Sequence, residues 1–261
     1  MSDSLSFTVD GPVAEITLTR PEVLNRFDVD LHRDIIQVLI ELRDRRDIRA
    51  AVLASTGKVF SAGGDFELMI ACHHDVGERA RLLDEGRLLF NLMADVPVPI
   101  VVALQGDAVG LGATVALACD AVVASRSAGL SDPHVAIGLV AGDGGCVVWP
   151  AAAGMLRAKR YLLTGDRLSA EEAWAMGLVT DLVDGPDDAL PAARALAGRI
   201  AALPPVAVQG TKRALNRALA QRAGEVLDLS ISLEAASMAS TDLLEAIAAF
   251  KERRPPTYTG R

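Results

Sequence analysis

Aromatic side chains are scarce in this 261-residue chain: two Trp, two Tyr and six Phe, 4% in all. A core built around a few large rings is therefore excluded. The apolar mass is Ala, Val and Leu, which suits small, closely packed elements. Cysteine is also sparse. Cys72, Cys119 and Cys146 are widely spaced and odd in number, with no Cys-x-x-Cys. That pattern implies no disulfide framework and points to a reducing, cytoplasmic setting. There is no excess of basic charge. The net charge is -8 and the pI about 5.1, which argues against nucleic acid as the main partner. A phosphorylated ligand held by a local basic patch stays open. No apolar run reaches membrane-spanning length, because Pro97, Pro99, Gln105, Asp107 and several glycines interrupt Val96 to Ala118. The opening Met1-Ser2-Asp3-Ser4 lacks a basic stretch before an apolar one, so no secretory leader is expected.

The composition that remains, 51% hydrophobic and 23% charged, is globular, and the length admits one large core or a core with a small appendage. Val13 to Leu18 alternates and reads as a strand. Leu31, Ile35, Leu39 and Leu42 stand at helical spacing. Ala50 to Ala54, Ile100 to Leu104 and Ala121 to Ala124 are short continuous apolar runs, as buried strands require. Helices are expected from about Glu78 to Ala94 and from Gly110-Leu111-Gly112 through Ala118. The rhythm of strand and helix gives an α/β layering. Ser169-Ala170-Glu171-Glu172 is a capping box, and Gly177 is placed to end that helix. Beyond Pro186 the pattern is helical: Asp188 to Ala202, Val206 to Leu219, Glu225 to Ala239 and Leu243 to Arg253. A boundary is placed after residue 197, giving a 1–197 core with the pocket and a 198–261 C-terminal helical region.

Two segments carry chemical promise. Phe60-Ser61-Ala62-Gly63-Gly64-Asp65 follows a predicted strand, and its glycines allow a sharp turn with exposed amides. Gln105 to Thr114, with Gly106, Gly110 and Gly112, leads from a buried strand into a helix, whose free N–H groups attract negative charge. Each alone is an ordinary glycine-rich turn. No metal-ligand cluster, Gly-x-x-x-x-Gly-Lys loop or Gly-x-Gly-x-x-Gly is present, so neither a metal nor a redox cofactor is expected.

Together, the separation of the two loops, the Pro97-x-Pro99 element and Leu163-Thr164-Gly165-Asp166-Arg167 before the capping box resemble the enoyl-CoA hydratase/isomerase (crotonase) superfamily. The resemblance runs from Arg20-Pro21-Glu22-Val23-Leu24-Asn25 to Phe250-Lys251-Glu252-Arg253-Arg254-Pro255. It implies a ββα spiral core with a C-terminal helical region. It also implies an acyl-coenzyme A substrate, coenzyme A being part of the substrate, and a homotrimer or dimer of trimers. Two backbone amides, those of Ala62 and Leu111 by position, would form an oxyanion hole around the thioester carbonyl. Losing such a donor typically costs ~3–4 kcal/mol of transition-state stabilisation. The family's usual glycine at the second place is leucine here, which keeps the N–H and should narrow the pocket.

The acid–base positions depart from the hydratase pattern. Thr114 and His134 stand where hydratases carry glutamates, and only His134 can move a proton near neutral pH. Nine residues on, Asp143 lies in a glycine-rich loop and is the second candidate, as a partner of His134, a water holder or a base. Similar His/Asp spacing occurs in the diketone-hydrolase branch of the superfamily, and the dehalogenase branch has a nucleophilic aspartate in this loop. Three readings follow: a hydratase or isomerase, a hydrolase or C–C lyase, and a non-catalytic acyl-CoA binder. Asp65 fits the loop-stabilising aspartate. Asp107 and Asp132 are weaker pocket-edge acids, and His32, His73 and His74 read as surface residues. Arg26, Lys58, Lys251 and Arg253 are the cations considered for the coenzyme A phosphates. Phe250 is a cover for the adenine or part of a subunit contact. Ala62, Gly63, Gly64, Asp65, Gly110 and Thr114 complete the expected substrate contacts.

Overall fold

A computed structural model describes residues 3–261. Strands β1 (Leu5–Asp10) and β2 (Val13–Leu18) form an antiparallel hairpin, and α1 (Val29–Asp44) follows. Then come β3 (Ala50–Ser55), α2 (Phe66–His74), α3 (Val76–Asp95), β4 (Ile100–Leu104), β5 (Ala108–Val109) and α4 (Leu111–Leu117). After β6 (Ala121–Ser125) and β7 (Gly129–Ser131) lie α5 (Gly145–Ala153), α6 (Met155–Leu162), β8 (Leu168–Ser169), α7 (Ala170–Met176) and β9 (Asp181–Val183). The chain finishes with α8 (Pro186–Ala201), α9 (Pro205–Met238) and α10 (Thr241–Glu252).

Six strands form one sheet in the order β1-β2-β3-β4-β6-β9, parallel from β2 onward, and β5-β7-β8 form a second. The continuous apolar runs in β3, β4 and β6 arise because both faces of the sheet are covered. Ala51, Leu53, Ile100, Val102, Leu104 and Val122 enter the main core. Their alternates Ala50, Val52, Val101, Ala103 and Val123 meet Ala189, Ala193, Ala197 and Ala201 of α8. Alanine every four residues gives α8 a flat stripe that lies close against the sheet. Residue 198, where the helical region was expected to begin, therefore falls inside a helix that belongs to the core layering.

Other differences are local. The segment Phe66–His74 forms α2, which the sequence reading passed over. Its N-cap Asp65 accepts from the Leu68 amide at 2.8 Å. Val206–Leu219 and Glu225–Ala239, expected as two helices, are one 34-residue helix. Gly210 and Gly224 weaken that helix by roughly 1 kcal/mol each, yet without a proline in its interior nothing stops it. The expected capping box at Ser169 and Glu172 is present, and Gly177 closes α7 in the left-handed conformation, φ 88°.

Candidate active site

The two glycine loops meet beneath α4. Ser61 and Ala108 bridge as parallel strands, with Val109 N donating to Ser61 O at 3.0 Å. Gly63, at φ 84°, lies so close that an added Cβ would stand 2.7 Å from Val109 O. An added Cβ on Gly110, at φ 53°, would be 3.5 Å from His134 Cε1 and 3.9 Å from Gly63 Cα. Gly63 is required by close approach as well as by backbone conformation, and Gly110 by its backbone conformation.

The amides of the first loop correct one expectation. Ala62 N–H donates to Leu24 O at 3.0 Å, and Gly63 N–H to Ser61 Oγ at 3.2 Å. Neither is free for a ligand. Phe27 bridges across Gly64, donating to Gly63 O and accepting from Asp65 N. That bridge leaves the Gly64 amide without a partner among the described residues. Leu111, the first residue of α4, likewise has no partner for its amide. Gly64 and Leu111, not Ala62, present amides to a cavity that His134 also lines.

His134 opens a 3-10 turn, His134–Ile137, just after β7. It is buried between two carboxylates. Asp132 Oδ1 meets its Nδ1, and Asp143 Oδ2 lies 3.5 Å from its Nε2. Thr114 Oγ1 donates to Asp143 Oδ1 at 3.3 Å. Burial opposes charge on the imidazole, but Asp132 and Asp143 outweigh it and raise its pKa well above the ordinary value. For Asp143 burial again opposes charge, while His134 and the Thr114 hydroxyl hold its pKa below the usual carboxylate range. The loop around Asp143 must be glycine. An added Cβ would come within 2.4 Å of Phe90 Cδ2 at Gly144 (φ 121°) and within 2.5 Å of Asp132 Oδ2 at Gly145.

A fourth group completes the cluster. Glu234 of α9 is buried in the same cavity wall, and burial, reinforced by Asp143, pushes its carboxyl up to about 8. Sequence reasoning missed it and gave Asp132 little weight. The signal was there: Leu227, Ile231, Glu234 and Met238 are buried at helical spacing, so a carboxylate sits on an apolar stripe. His32, read as a surface residue, is buried too. It contacts Asp28 O through Nδ1 at 2.9 Å and lines the chamber, and burial lowers its pKa.

Two hollows share Gly64, Met69 and His134 in their walls. The inner chamber, about 50 Å³, is bounded by Phe27, Leu68, Leu82, Ile231 and Met238 with Asp143 and Glu234. The outer cleft, about 520 Å³, includes Ala62, Gly63, Gly110, Phe66 and Phe250. Phe250 meets Phe66 edge-on at 5.4 Å. Thr114 stands behind Asp143, and Asp65 pairs with Arg26. The remaining cations do not converge. Lys58 and Arg253 are exposed and line neither hollow, and Lys251 pairs with Glu67 at 2.6 Å. Arg254, which was not singled out, lines the cleft beside Tyr258. Asp107 is engaged by Arg167 through two contacts of 2.8 and 2.7 Å, away from both hollows.

Comparison with known proteins matches residues 8–261 to the enoyl-CoA hydratase/isomerase family model. An enoyl-CoA hydratase/isomerase of Bacillus subtilis (strain 168) is 34% identical over 100% of both chains. The (E)-benzylidenesuccinyl-CoA hydratase of Thauera aromatica is 34% identical over 98% of this chain and 99% of its own. A crystal structure of an enoyl-CoA hydratase/isomerase from Mycobacterium paratuberculosis superposes with a TM-score of 0.91. It is 38% identical and covers 95% of this chain and 98% of its own.

Proposed function

The chain belongs to the enoyl-CoA hydratase/isomerase family, and from that premise we propose that it acts on an acyl-CoA thioester through an enolate. The observation that carries the reading is the shared chamber. The unpartnered amides of Gly64 and Leu111 open onto the cavity that holds His134 and Asp143. A thioester oxygen placed between those amides gains two donors in a dry site as its negative charge grows. Each is worth roughly 3–4 kcal/mol in such sites. Asp143 is ionised and takes the proton. His134, carried as imidazolium between Asp132 and Asp143, keeps that carboxylate charged and in place.

The acyl group occupies the inner chamber and the pantetheine arm the outer cleft, where Arg254, the one Lys or Arg in that wall, would exchange its pairing with Glu245 and Glu252 for a coenzyme A phosphate. The thioester supplies its own activation, so the reaction proceeds without a metal or redox cofactor. The protein works as a homotrimer or dimer of trimers in the cytoplasm, where the three free cysteines suit a reducing milieu.

Mixing the protein with crotonyl-CoA and following loss of the conjugated thioester absorbance tests the hydratase form, and no turnover above background rejects it. A His134→Ala variant with full activity removes the mechanism. A hydrolytic or C–C-cleaving reaction is the second reading. The contact between His134 and Asp143 favours it, since a charge-paired base can activate water equally well. Product analysis over acyl-CoA esters and cyclic diketones separates the two. Tight acyl-CoA binding with no turnover on that panel identifies a binder instead.

A further inference from the structure

The acid–base chemistry proposed above lacks a second proton carrier. Hydration takes a proton from water and places one on carbon 2 of the acyl group. His134 is badly placed to supply it, because Nδ1 faces Asp132 and Nε2 faces Asp143. Of the chamber's other acids, Asp65 is engaged by Arg26 and the Leu68 amide, which leaves Glu234. Its Oε2 has no hydrogen-bond partner among the described residues, and a Cβ added to Gly142 would lie 2.6 Å from it. A buried carboxyl with an unpartnered oxygen needs a reason.

We propose that Glu234, presented by the C-terminal helix α9, is the second acid–base catalyst of the site and exchanges a proton with carbon 2 of the bound acyl group. This rests on the acyl-CoA reading. In hydration, water gives a proton to Asp143 while its oxygen bonds carbon 3. The alkene electron pair moves to leave an enolate, whose oxygen lies between the Gly64 and Leu111 amides. On collapse, carbon 2 takes the proton of Glu234. Asp143 is then protonated and Glu234 ionised, and passage of that proton between the two carboxyls through water restores the start. The two carboxyls are pushed in opposite directions, Asp143 below its ordinary range and Glu234 up to about 8. That is how one site holds a base and an acid at once. The groups facing Glu234 are Asp132, His134, Asp143 and Cys146 from the core, with His32 and Asp65 in the wall of the same chamber.

Glu234→Gln keeps the shape and removes the proton. Its kcat on crotonyl-CoA is expected to fall about a hundredfold to ten-thousandfold, the usual worth of a general acid or base. KM and the calorimetric affinity for butyryl-CoA should stay near wild type. Exchange of the carbon-2 hydrogens of butyryl-CoA in D2O, followed by NMR, should occur in wild type and stop in the variant. Glu234→Asp should recover part of it. Wild type and the Gln variant exchanging and hydrating at equal rates overturns the proposal. So does a wild type that binds butyryl-CoA without exchange. Failure of the underlying reading is distinct: wild type then neither binds butyryl-CoA nor turns over crotonyl-CoA.

Discussion

At the scale of single residues, the site is a set of charges held apart by burial. Asp132 fixes the His134 ring through Nδ1, so Asp132→Asn should leave the imidazole in place with the wrong protonation. We expect a loss of about a hundredfold or more in kcat with KM little changed, as for an orienting carboxylate behind a histidine. An NMR titration should show the His134 pKa falling. Glu234 gives a second test, through stability. Its folded pKa is raised from 4.5 to about 8. Its contribution is therefore fully present below pH 4.5 and is lost as pH rises through 8, because folding must hold a proton the unfolded chain releases. His134, also raised, loses its contribution only as pH rises from 6.5 through its folded value. Asp143, lowered, loses its own only as pH falls below 3.8. Glu234→Gln leaves those two trends and removes the first. Relative to wild type, the variant should gain stability between pH 4.5 and 8, on the order of 5 kcal/mol at ~1.4 kcal/mol per pK unit. Urea unfolding at several pH values measures it, and a difference that stays flat with pH would refute the assignment of a raised carboxyl.

At the scale of elements, α9 ties the C-terminal region to the catalytic core at two places. Near one end Glu234 reaches the chamber. Near the other, Lys212 is buried and donates to Val98 O at 2.9 Å and Asp120 Oδ2 at 2.7 Å. Asp120 Oδ2 also accepts from Ile100 N at 2.7 Å, at the start of β4. Lys212→Ala strips a charge from this clasp and leaves Asp120 with the backbone alone. A cost of about 3 kcal/mol in denaturant unfolding is expected. The same helix shows what the sequence made legible. The strands β3, β4 and β6 and the capping box at Ser169 are set by local patterns, and their residues announced them. The two glycine loops and the nine-residue separation of His134 and Asp143 were legible for the same reason. Which amide of the first loop stays free was not, because it depends on Leu24 O, from another segment, taking the Ala62 amide and on Phe27 pairing with Gly63 and Asp65 so that the Gly64 amide is passed over. Glu234 lies 91 positions beyond Asp143, and only the packing of α9 across the chamber brings them together. The merging of α9 was hidden by Gly224, a helix weakener that tertiary contact overrides.

At the scale of the whole molecule, apolar side chains remain in the open on the helical side. Val206, Leu215 and Leu229 of α9 are 86%, 69% and 63% exposed, and Leu156 of α6 is 84% exposed. Scattered apolar residues are ordinary on a monomer. Here Leu203 and Leu215 border one depression with Pro204, Ala207, Val208 and the Lys212 clasp, and such a contiguous patch marks a contact surface. A second copy of the chain is the partner proposed, arranged cyclically so that each patch is buried once per subunit. Light scattering behind size-exclusion chromatography should give three or six times the 27.4 kDa of one chain. Leu203→Glu with Leu215→Glu places two carboxylates in that contact and should shift the population toward monomer. The change should carry an activity cost only if closure of the outer cleft, where Phe250 stands 67% exposed, depends on the neighbouring copy. Monomers in the wild type at micromolar concentration would refute the assembly, while the catalytic reading, built from residues of a single chain, would stand.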